Sequence, residues 1–91
     1  GTIDRETAAA QIVEDRIERI RVEPGYASLS ARYAESGTAL PDHPGLARET
    51  VIARHRDSTA TGITDFTRVT VTVDGTGLPR PVSRTVTVAR P

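Results

Sequence analysis

Two histidines, His43 and His55, are the only side chains of this 91-residue sequence whose ordinary titration falls near neutral pH. Each has an aspartate close by, as Asp42-His43 and as His55-Arg56-Asp57. Such neighbours can form an acid–base pair or half of a metal site. The flanking residues argue otherwise: Asp42-His43 stands in a Pro/Gly turn and His55 near the end of a strand, so both are expected at the surface. Asp74-Gly75-Thr76-Gly77 has the look of a calcium loop but lacks the alternating carboxylates that a calcium ion needs. Gly75-x-Gly77 has no third glycine and no helix after it, so a phosphate cradle is not expected. Ser28, Ser30, Ser36 and Ser58 form no nucleophile elbow. Glu14 and Asp15 are adjacent on a helical pattern and point about 100° apart, as solvated carboxylates do. The chain contains no cysteine, which excludes disulfides, thiolate metal sites and a cysteine nucleophile. The expectation is a protein that is not an enzyme and holds no cofactor and no metal.

The elements that carry these residues follow from periodicity. Residues 2–22 read as one helix. Ala9, Ala10, Ile12, Val13, Ile17 and Ile20 fall within an arc of about 160°, while Gln11, Glu14, Asp15, Glu18 and Arg19 lie opposite. Arg16 sits at the edge of that arc, and its stem is expected on the core with its guanidinium in water. Glu23-Pro24-Gly25 ends the helix, because the residue before proline avoids the helical region. Residues 23–45 read as a loop that packs Tyr26, Leu29, Tyr33 and Leu40, with at most a short helical turn over 27–34 and a turn at 41–45.

From Leu46 the period changes to two. Strands are predicted over 46–56, 66–73 and 82–89, with a polar turn over 57–62 and a loop from Asp74 to Pro79. In the second, Thr67, Val69, Val71 and Val73 share a face; in the third, Val82, Arg84, Val86 and Val88 do. A valine face of that size needs a cover, and the first helix is the only amphipathic element to provide it. The predicted fold is therefore a single α+β domain, an N-terminal helix on an antiparallel sheet of three to four strands. Ile12, Val13, Ile17 and Ile20 are expected to meet Val69, Val71, Val86 and Val88 in its core.

Composition limits what such a domain does. Ninety-one residues make one domain with a thin core, since leucine, isoleucine, valine and phenylalanine supply only 20 positions. Twelve acidic and 12 basic residues balance to zero, and a nucleic-acid partner is not expected without a basic surplus. Every basic residue is arginine, most simply a mark of coding bias. No run approaches the roughly 20 apolar residues that span a bilayer. The first residue is Gly1 rather than Met, which implies a longer precursor, a processing site or an engineered cut upstream.

In order, these phrases resemble type IV pilin-like proteins. Ala8-Ala9-Ala10-Gln11-Ile12-Val13-Glu14-Asp15-Arg16-Ile17-Glu18-Arg19-Ile20-Arg21 is similar to the lower half of the long N-terminal pilin helix. Glu23-Pro24-Gly25-Tyr26 resembles its exit in minor pseudopilins of type II secretion and related minor pilins. Gly45-Leu46-Ala47-Arg48-Glu49-Thr50-Val51, Val69-Thr70-Val71-Thr72-Val73 and Val86-Thr87-Val88 resemble strands of their small sheet. The resemblance implies a structural subunit of a type II secretion or type IV pilus filament. Its partners would be other pilin or pseudopilin subunits. An upstream apolar half, outside these 91 residues, would anchor it in the inner membrane, with this domain in the periplasm or at the cell surface. Ile3, Ala8, Glu14, Glu18, Arg48 and Arg54 are its candidate subunit contacts. The alternative is a small binding module for a peptide or carbohydrate, presenting Thr70, Thr72, Thr85 and Thr87; an enzyme using His43 or His55 is the remaining reading.

Overall fold

The computed structural model describes residues 2–91, with side chains from Asp4 onward. Its elements are α1 (Thr2–Arg21), a 3₁₀ turn (Tyr26–Ser28), α2 (Leu29–Tyr33), β1 (Glu35–Ala39), β2 (Leu46–Thr59), β3 (Gly62–Gly75) and β4 (Val82–Ala89). The four strands form one antiparallel sheet in the order β1-β2-β3-β4. The fold is α+β, with α1 laid across one face of this meander.

Helix and sheet meet through the expected stripe. Ala9, Val13, Ile17 and Ile20 are buried against Val69, Val71, Val73 and Val86, while Ile12 and Val88 are half-buried at the margin. Their spacing of four, four and three residues keeps the four helix side chains on one face. Pro24 follows the last turn of α1, and the amides of Val22 and Glu23 close that turn onto Glu18 O and Ile20 O. Arg19 and Arg21 near this end suit the negative end of the helix dipole. No helix among the described residues is long and apolar enough to cross a membrane.

The segment 23–45 is more ordered than its composition suggests. Tyr26, Leu29 and Tyr33 are spaced three and four apart, so the 3₁₀ turn and α2 turn all three into the core. β1 then adds a fourth strand within the predicted loop. Its sequence, Glu-Ser-Gly-Thr-Ala, is poor in β-branched and aromatic residues, and pairing with the edge of β2 overrides that weak propensity. A bulge between Glu35 and Thr38 is accommodated by Gly37 at φ +69°.

The β2–β3 hairpin is also longer than predicted. Pairing continues without a break from Leu46↔Gly75 to Thr59↔Gly62, so only Ala60 and Thr61 turn the chain. Residues 57–62 read as a turn because they are polar, yet a hairpin extending beyond the helix has no apolar face to display. The molecule measures 54 × 20 × 19 Å, and the hairpin accounts for much of its length. At the opposite end, Gly75 is in close contact with the start of β2: a Cβ there would lie 2.0 Å from Gly45 O.

Candidate functional site

The chemically dense parts of the molecule are two arginine–carboxylate clusters on the helix side of the sheet. The first is built by α1, β1 and β2. Arg48 grips Glu35 with two bonds, Nε to Oε2 at 2.8 Å and Nη2 to Oε1 at 3.2 Å. Thr50 Oγ1 donates to the same Oε2 at 2.7 Å, and Arg16 Nη2 lies 2.9 Å from it. Arg16 also donates to Tyr33 O at 2.8 Å and lies over the Tyr33 ring, 4.9 Å from its centre. The Arg16 guanidinium is therefore not in water as its helical position suggested; its side chain is 14% exposed. β1, hidden from pattern reading, brings Glu35 to it.

Burial opposes charge on Glu35, but the bonds from Arg48 and Thr50 outweigh it and hold the carboxyl below its usual range. Burial, then the neighbouring Arg48, pushes the Arg16 guanidinium down. A carboxylate held by Arg48, Thr50 and Arg16 stays ionised, so it is a poor general acid.

The second cluster fastens the hairpin. Asp65 on β3 accepts from Arg54 Nε at 3.0 Å and Arg54 Nη2 at 2.7 Å, and from Tyr26 Oη at 2.9 Å. Arg56 Nε stands 3.7 Å away, and the Arg54 guanidinium lies 4.9 Å from the centre of the Tyr26 ring. The Arg54 hydrogen bonds, followed by that of Tyr26, overcome burial and hold Asp65 at about 2. Nearby, Tyr33 Oη donates to Glu23 Oε2 at 2.8 Å, and Arg32 completes that pair at 3.5 Å. Neither link shows in the sequence pattern: Tyr33–Glu23 depends on the fold of residues 23–33, and the Arg54–Asp65–Tyr26 cluster on the exact hairpin register. With the turn at Ala60-Thr61, paired positions sum to 121, which places Asp65 one step from Arg54 on the same face.

Several candidate subunit contacts are thus engaged within the chain. Arg48 holds Glu35, Arg54 holds Asp65, and Glu14 pairs with Arg84 of β4. Glu18 is exposed and Ala8 half-buried, while the side chain of Ile3 lies outside the described residues. Asp15 accepts from Gln11 Nε2 at 2.7 Å.

The histidines are kept apart. His43 lies half-buried in the turn before β2, beside a groove of about 350 Å³ that Ile12, Arg19 and Leu40 also line. His55 stacks on Phe66 on the outer sheet face, with ring centres 4.9 Å apart and planes inclined by 20°. Among the described residues no group of three His, Asp or Glu side chains is placed to hold a metal ion. Asp74 Oδ1 accepts from the Gly75 amide at 2.8 Å, so it serves its own turn. The threonine face is bonded within itself: Thr70 to Thr85 at 2.8 Å and Thr72 to Ser83 at 2.9 Å. Compared with protein-family models, curated proteins and solved structures, the chain matches none of them.

Proposed function

We propose that this chain is the sheet-bearing domain of a pilin-type filament subunit, a minor pilin or minor pseudopilin, which acts by assembly in type II secretion or pilus biogenesis. The supporting observation is the order and packing of the elements: an N-terminal helix of 20 residues lies along one face of a four-stranded antiparallel meander that follows it in sequence. That arrangement is the one the resemblance of 8–26 and of the strand phrases implies. The dense polar clusters fit the same reading, since their carboxylates are saturated within the chain and brace the domain. In this reading an upstream apolar half of the helix anchors the subunit in the inner membrane and then packs in the filament centre. The domain stands in the periplasm or at the surface, beside other pilin or pseudopilin subunits.

The test uses the full-length protein in a host that carries its prepilin peptidase and assembly ATPase. The expected result is a processed subunit in the inner-membrane fraction and again in filaments sheared from the cells. A full-length sequence without an apolar run of about 20 residues ahead of Thr2 overturns the reading. So does a subunit that is processed yet never recovered with filaments.

A further inference from the structure

The zero net charge of this chain conceals a separation of charge along its 54 Å axis. At the end where β2 begins and β3 finishes stand Asp4, Glu6, Glu35, Asp42, Glu49 and Asp74. Arg5, Arg48 and Arg80 oppose them there, which leaves a surplus of three negative charges. Around the hairpin end the sign reverses. Arg21, Arg32, Arg54, Arg56, Arg68 and Arg90 face Glu23, Asp57 and Asp65, a surplus of three positive charges. The middle is balanced, with Arg16, Arg19 and Arg84 matched by Glu14, Asp15 and Glu18.

Shape follows the same axis. Between Asp57 and Asp65 the tip of the hairpin carries no charge, and Ile63 projects from it with 68% of its surface exposed. At the acidic end a groove of about 390 Å³ is lined by Pro79, Pro81 and Val82 together with Glu6 and Arg80. An aliphatic knob on the half with the basic surplus and a groove of apolar side chains on the half with the acidic surplus are complementary surfaces on opposite ends of one molecule.

We propose that the chain associates head to tail with a second copy of itself, Ile63 at the hairpin tip of one seated in the Pro79–Val82 groove of the next. The opposed end charges steer the encounter and set its polarity. A contact between two different surfaces of the same chain is heterologous and propagates unless it closes into a ring. The inference goes beyond the filament reading, because it concerns only the surfaces of this domain.

The absence of cysteine allows a clean cross-linking test. Thr61→Cys places a thiol at the tip, and Arg80→Cys places one beside the groove. The two variants are mixed in equal amounts and oxidised with copper–phenanthroline, and mixed disulfide dimers are compared with each like pair. The mixed dimer is expected to form about tenfold faster in about 0.01 M salt, where the screening length is about 30 Å. In about 1 M salt, with screening over about 3 Å, that preference should fall sharply. Adding Ile63→Ser to the tip variant lowers the mixed rate at both salts. Reversing charges in the basic half with Arg68→Glu and Arg90→Glu lowers it at low salt, and pairing that variant with Glu6→Arg and Glu49→Arg on the groove partner restores it.

A mixed dimer that forms no faster than the like pairs, with the unreversed charges, overturns the proposal. Equal rates combined with arginine-dependent binding to vesicles of anionic phospholipid overturn it in favour of a membrane surface. Recovery of the subunit from sheared filaments without the cross-link preference would sink this contact alone, whereas the preference without filament recovery would sink only the filament reading.

Discussion

The hydroxyl of Tyr26 donates to Asp65 Oδ1 at 2.9 Å across 39 positions of sequence. This bond ties the segment that leaves α1 to the outer half of the β2–β3 hairpin, where the helix no longer covers the sheet. It also completes the donor set of a carboxylate that is 3% exposed. Tyr26→Phe keeps the ring under the Arg54 guanidinium and removes only the donor. A loss of about 1 kcal/mol is expected, seen as a drop of about 4–8 °C in Tm for a domain of this size. An unchanged Tm would mean that the hairpin is held by the Arg54–Asp65 pair without help from the tyrosine.

The same carboxylate sets the acid limit of the fold. Asp65 titrates at about 2 in the folded chain, below the value of about 3.9 for an unfolded aspartate. The unfolded chain therefore binds more protons between those values, and stability rises with pH across the window. The contribution is complete above about pH 4 and is lost as the pH falls through about 2. Glu35 and Glu23, also held below their usual range, act in the same direction. Urea midpoints measured from pH 5 down to pH 2 should fall steadily below pH 4. Asp65→Asn should flatten that slope while lowering the midpoint at pH 5.

Much of the helix–sheet core is legible in the sequence, and the reason is periodicity. Val13, Ile17 and Ile20 repeat at helical spacing, and Val69, Val71 and Val73 at strand spacing, so each run announces its buried face. Glu35–Ala39 carries no such signal. It becomes a strand because an open edge of β2 lies beside it and because Arg48 and Thr50 on that edge bind Glu35. The polar stretch 57–62 misleads for a related reason: strand pairing there is imposed by the register of the whole hairpin rather than by local apolar content. Arg16 reads as solvated from its position on a single element, and Arg54 as a contact for a neighbouring subunit. Their partners, Glu35 and Asp65, lie on strands whose placement only the assembled sheet reveals.

Glu35 is thus the residue on which the edge strand depends. Glu35→Gln removes the charge that offsets Arg16 and Arg48 while keeping the shape of the side chain. Breaking a fully buried pair costs about 3–5 kcal/mol; here, with the three side chains 11–21% exposed, about 2 kcal/mol is expected. The loss should be local first. Amide exchange should accelerate over Glu35–Ala39 more than over β3, because β1 has little apolar burial of its own. Equal acceleration in both strands would show that β1 and the core open as one unit.

Thr67 offers a change in the opposite direction. Its side chain is 1% exposed on the valine face of β3, and its hydroxyl has no hydrogen-bond partner. Thr67→Val replaces that hydroxyl with a methyl of nearly the same shape. The buried polar group costs about 1–3 kcal/mol when unsatisfied, so the variant should gain about 1 kcal/mol in urea unfolding. A loss of stability would imply that the hydroxyl is bonded in solution.

Two valines from neighbouring strands test the register directly. Val71 is fully buried under α1, whereas Val51, on the outer face of β2, is 49% exposed. They belong to adjacent rows of the pairing, Thr50↔Val71 and Val51↔Thr70, and therefore to opposite faces of the sheet. Val71→Ala deletes two buried methyl groups and leaves a cavity against the helix, at a cost of about 2 kcal/mol. Val51→Ala removes surface that already meets water and should change stability by no more than about 0.5 kcal/mol. A slip of one residue between β2 and β3 turns one strand over relative to the other and forfeits this contrast. Comparable losses from the two substitutions would rule out the register on which the Arg54–Asp65 pair, the Glu35 cluster and the length of the hairpin all depend.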